Sequence, residues 1–77
     1  MNLSNKANAK AALFELLDEF RDGTEFPGIL PQKEIYRRTG AMHYPYTFLR
    51  YLRMYRKEKG RSVVNINRAR SIYKVIG

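Results

Sequence analysis

The sequence predicts one small α+β domain, three helices followed by a C-terminal β-hairpin, and three observations lead there. Up to Lys59, apolar residues recur at three- and four-residue steps in blocks separated by glycine and proline. After Gly60 the period shortens to two and β-branched residues take over. The chain is 77 residues long, enough for a single limited core but not for a spacious catalytic cleft.

The first helix is expected from about Lys6 to Arg21, with Ala9, Ala12, Leu13, Leu16, Leu17 and Phe20 on one face. Ser4 or Asn5 suits its N-cap, and Gly23 its left-handed end; residues 1–5 read as a flexible N-terminus. Asp18 and Glu19 read as a solvated face, since no histidine or ligand set accompanies them. Asp22 to Gly28 is rich in turn formers, and Ile29-Leu30 is a short apolar step where a short strand is open. Pro31 fits the first position of a second helix running to Thr39 and closed by Gly40. Its inward residues are expected to be Ile35 and either Tyr36 or Thr39.

Ala41 to Tyr44 reads as a turn, and Pro45 opens a third helix that stops at Gly60. On a wheel of 100° per residue, Phe48, Tyr51, Leu52 and Tyr55 form one stripe and Tyr46, Arg50, Arg53 and Lys57 the opposite one. The first stripe is core, the second strongly basic. In the hairpin, a four-residue loop Arg68-Ala69-Arg70-Ser71 pairs Ile66 with Tyr73 and Val64 with Val75, so these four are expected on the packed face.

Charge is distributed unevenly. The net charge is +8 and the isoelectric point about 10.1. Through Glu34 the chain has four cations against six acids, whereas from Ile35 onward it has eleven cations, eight of them arginine, against Glu58 alone. Mixed-sign surface charge does not produce such an exclusion of acids; a polyanion partner does. The absence of cysteine removes disulfides, thiol nucleophiles and cysteine-bound zinc. His43 lies in a turn without further ligands, so a metal site is not expected. No glycine-rich phosphate loop or nucleophile–base pair suggests an enzyme, and no cofactor or small-molecule ligand is expected. Met1 to Ala12 has no apolar run, so neither a signal peptide nor a membrane anchor is expected, and the cytoplasm is the expected setting.

Gln32-Lys33-Glu34-Ile35-Tyr36-Arg37-Arg38-Thr39-Gly40 resembles the supporting helix of the winged helix-turn-helix family. Thr47-Phe48-Leu49-Arg50-Tyr51-Leu52-Arg53 resembles the start of its recognition helix, and Val63 to Val75 its wing. The resemblance covers the chain past Lys6, and its specificity lies in the order of the pieces. Two features depart from the family: the turn after Gly40 is about two residues longer than in the simplest helix-turn-helix proteins, and Tyr36 stands where a small residue is common.

The resemblance implies double-stranded DNA as partner, in a transcriptional regulator, a phage or plasmid control factor, or an architectural protein. It implies a third helix in the major groove, presenting Tyr46, Thr47, Arg50, Arg53, Met54 and Lys57, with Arg50 as the base reader. The wing residues Asn65, Asn67, Arg68 and Arg70 would meet the minor groove or the backbone. Arg37, Arg38, His43, Tyr44, Arg56 and Arg61 would hold phosphates. A homodimer is open, through the first helix or the last strand. Two other classes compete: a winged-helix module docking on a protein, which calls for apolar anchors on the outer third helix, and a single-strand or RNA binder using Tyr44 and Tyr46 to stack on bases.

Overall fold

The computed structural model describes the backbone of residues 2–40 and 45–77, and the side chains of residues 8–40 and 47–77. In chain order the elements are α1 (Asn2–Glu19), β1 (Glu25–Pro27), α2 (Ile29–Thr39), α3 (Pro45–Lys59), β2 (Ser62–Asn67) and β3 (Ile72–Ile76). The three strands form one antiparallel sheet in the order β1-β3-β2. This is a small α+β fold of three helices and a three-stranded antiparallel sheet.

The helical periodicity locates the core. Ala9, Ala12, Leu13, Leu16 and Leu17 of α1 are buried and Phe20 is half-buried, as their spacing requires; Phe14 is buried too. All of them but Leu16 join one core with Ile35 from α2, Phe48, Leu52 and Tyr55 from α3, and Phe26 and Val75 from the sheet. Rings link the layers: Phe14 meets Tyr55 edge-on at 5.1 Å, and Tyr73 stacks on Phe26 at 5.9 Å and meets Phe48 edge-on at 5.4 Å. Such geometries add to plain area burial.

Several boundaries differ from the sequence expectation. Helix α1 begins at Asn2, so Ser4 and Asn5 lie inside it rather than capping it, and the backbone of residues 2–5 is helical instead of a loose end. Gly23 is left-handed (φ 90°), yet it lies in the turn after α1, where its amide donates to Val75 O at 2.7 Å. The short strand is not at Ile29-Leu30. It is Glu25–Pro27, held to β3 by Phe26 opposite Tyr73, while Ile29 and Leu30 form the first turn of α2. Pro31 is thus the third helical residue, where an amide still has no intrahelical acceptor.

Gly28 joins β1 to α2. Its amide donates to Ser71 O at 2.7 Å, and a Cβ there would lie 2.9 Å from Cε1 of Tyr73. Only glycine brings the start of α2 this close to β3. At the other end, Gly40 adopts φ 72° and donates its amide to Tyr36 O, closing α2. Ile35 is fully buried, the Thr39 hydroxyl donates to Ile35 O at 2.8 Å, and Tyr36 is 55% exposed, its ring pointing outward.

The hairpin has the expected loop but is one residue out of the expected register. Val63 faces Val75, Val64 faces Lys74 and Asn65 faces Tyr73, and an irregularity between Asn65 and Asn67 absorbs Ile66. A slip of one residue exchanges the faces of a strand. Val63 therefore packs on the core, whereas Val64 and Ile66 are 37% and 46% exposed.

Candidate nucleic-acid interface

The basic stripe of α3 follows from the same periodicity that buries Phe48, Leu52 and Tyr55. With those three turned inward, Arg50, Arg53, Arg56 and Lys57 are left exposed. Thr47 is half-buried in the first turn, and Met54, expected outside, is half-buried and packed against the core. The side chain of Tyr46, and His43 and Tyr44 altogether, lie outside the described residues.

At the hairpin tip, Arg68 and Arg70 are exposed on a turn that the neighbouring asparagines organise. Oδ1 of Asn65 accepts from the Asn67 amide, and Oδ1 of Asn67 accepts from the Arg70 amide, both at 3.1 Å. Ser71 completes the turn at φ 52°. These two asparagines shape the basic tip through their carbonyl oxygens.

Ion pairing separates the cations into two populations. Six of the seven acids neutralise cations within the fold: Glu34 binds Arg37 and Arg38, Glu15 and Glu19 add to Arg38, Asp18 meets Lys59, Asp22 meets Arg61, and Glu58 meets Lys10. Glu34 accepts from Arg37 at 2.8 Å, and that hydrogen bond holds its carboxyl below the ordinary glutamate range. Asp18 and Glu19 are exposed, as expected, and each also meets a cation.

Arg61, expected among the phosphate contacts, has another task. All five of its N–H groups are engaged: two on Asp22 Oδ1, one each on Leu17 O, Phe20 O and the Tyr55 hydroxyl, at 2.7–3.1 Å. The last turn of α1 contains no basic residue, so the carbonyls left open at its C-terminus are capped from across the molecule. The buried Tyr55 hydroxyl donates in turn to Asp18 at 2.8 Å, and burial together with that carboxylate pushes the phenol's pKa up. Arg38, half-buried among three carboxylates, is likewise committed to the α1–α2 packing, and Arg37 is held by Glu34.

Among the described residues, Arg50, Arg53, Arg56, Lys57, Arg68 and Arg70 have no carboxylate within ion-pair distance. They are concentrated on α3 and the β2–β3 turn; Arg21, Lys33 and Lys74 are the others without one. A surface of uncompensated guanidinium groups can grip phosphates or the paired acceptors of a planar base. No cluster of three metal-binding side chains occurs among the described residues, and none of their helices is long and apolar enough to cross a membrane. No family model matches the chain, and no curated protein or solved structure is significantly similar to it.

Proposed function

We propose that the protein is a winged helix-turn-helix protein that binds double-stranded DNA, as a transcriptional regulator or a phage or plasmid control factor. The observation that carries this reading is the concentration on α3 and the hairpin tip of six of the nine described cations that have no acid partner. The order of elements and the β1-β3-β2 sheet are compatible with the winged fold. The major groove, about 12 Å wide, admits one helix. In it, Arg50 grips a guanine through two hydrogen bonds, Arg53 stands beside it, and Arg56 and Lys57 hold phosphates that fix the register. Arg68 and Arg70 reach the neighbouring minor groove or backbone.

Tyr51 and Tyr55 pack within the fold, which leaves Tyr44 and Tyr46 as the rings a single-strand reading would use. Binding to random duplex, single-stranded DNA and RNA, measured side by side for the native chain and Arg50→Ala, tests the reading. Duplex should bind tightest, and the substitution should weaken binding to a selected cognate duplex by roughly 1–3 kcal/mol. Preference for a single strand, or an unchanged Arg50→Ala variant, contradicts it.

A further inference from the structure

Beside the basic stripe runs a groove whose apolar lining the proposed duplex contacts do not use. Leu49 and Leu52 of α3 line one wall, Ser62, Val63 and Val64 of β2 the other, and Arg53 and Arg56 stand at its rim; its volume is about 220 Å³. That is below the roughly 300–1,000 Å³ of small-molecule sites. Leu49 is 48% exposed although its neighbour Phe48 is in the core, and Val64 of the groove is 37% exposed. Val63 and Val64 point to opposite faces of the sheet, yet both line the groove. It therefore runs along the free side of β2, an edge strand with β3 as its one sheet neighbour. Outside the sheet ladder, the Asn67 amide of β2 donates to Asn65 Oδ1.

Such an edge invites another strand. Natural edges are commonly protected by lysine, proline or a covering element, but Ser62 to Asn67 contains neither residue. The irregularity at Ile66 disturbs only the distal end. We infer that the groove between α3 and β2 docks an extended acidic segment of a partner protein. That segment adds a fourth strand along β2, seats an aliphatic side chain between Leu49 and Val64, and sets carboxylates against Arg53 and Arg56. Main-chain pairing supplies affinity and the groove supplies selectivity. Charge selects this occupant. A second copy paired strand to strand would bring both pairs of arginines together on a chain of charge +8, and a phosphodiester backbone has no aliphatic group for the groove. Arg53 and Arg56 belong to the groove as well as to the proposed duplex face, so the acidic segment and a duplex compete for them, whereas Arg50 and Lys57 do not line the groove.

The probe is a synthetic nonapeptide alternating glutamate with valine and leucine, titrated into the full chain while backbone amides are followed by nuclear magnetic resonance. Shifts should centre on Val63 to Ile66. Binding should fall at least tenfold for Leu49→Ser, for a lysine-for-glutamate peptide, and for a peptide N-methylated at the alternate amides that face β2. Leu49→Ser should keep its helical circular dichroism and its duplex affinity. No binding, equal binding of the charge-reversed peptide, or shifts elsewhere would overturn the inference. So would a dimer of the native chain that Leu49→Ser dissolves, which would assign the groove to a second copy, or an equal loss of duplex binding in that variant, which would assign it to nucleic acid.

Discussion

Two arginine-rich regions of this molecule differ in whether a carboxylate is near. On the α1 side, Arg38 and Arg61 sit among Glu15, Glu19, Glu34 and Asp22 and tie helices and turns together. On α3 and the hairpin tip the arginines project without acids. The same side chain is structural in one place and available for recognition in the other. The acids decide which, so the first half of the chain, mildly acidic in sequence, neutralises the cations that hold the fold and leaves the rest exposed.

Substitutions on the two sides should therefore behave oppositely. The largest effect on stability is expected for Arg61→Ala, which removes the guanidinium donors to Phe20 O and Asp22, leaves Leu17 O with the Phe20 amide alone, and breaks the Tyr55 contact. A loss of about 3 kcal/mol in urea unfolding is expected, with the α3 face unchanged. An Arg61→Ala protein as stable as the native chain, but poor at binding DNA, would erase the distinction. On the opposite side, Arg53→Ala should stay within about 0.5 kcal/mol of native stability while weakening duplex binding.

Gly28→Ala sharpens the comparison from the packing side. Its methyl would press on a Tyr73 ring already held against Phe26 and Phe48, and overpacking of this kind costs about 1–3 kcal/mol. The Ser71–Gly28 contact should open before any change on α3, as amide exchange at Gly28 would report.

The smallest effect is a pH dependence. Because the hydrogen bond from Arg37 holds the Glu34 carboxyl below its ordinary pKa, its contribution to stability is present at neutral pH, above the unfolded value. It disappears as the pH falls through the lowered folded value. Glu34→Gln should flatten this acid-side slope slightly while leaving Arg50, Arg53 and Lys57 charged; an unchanged slope would place the acid sensitivity elsewhere.

Much of this architecture was legible because it is local. The faces of α1 and α3 follow from spacing, and Gly40 marks the end of α2 by its left-handed backbone. What was not legible is non-local. Arg61 meets Leu17, Phe20 and Asp22 across 39 to 44 residues of sequence, and nothing adjacent to it announces that task. The hairpin register turned on one residue, Ile66, which alternation alone assigns to the core face. The short strand was misplaced because Ile29-Leu30 is the more apolar pair, whereas Phe26, flanked by Glu25 and Pro27, is the residue that β3 covers. For the site, the exposed arginines of α3 followed from the wheel, but sequence alone could not show that Arg38 on α2 and Arg61 beyond α3 are taken up by acids of the fold.

The central claim, that the six unpaired cations of α3 and the hairpin tip form the binding face, is tested most directly by the salt dependence of duplex affinity. If all six displace counterions, log affinity should fall against log salt with a slope of about −5, and Lys57→Ala should make it shallower by about one. A slope near zero, or one unmoved by Lys57→Ala, would contradict it.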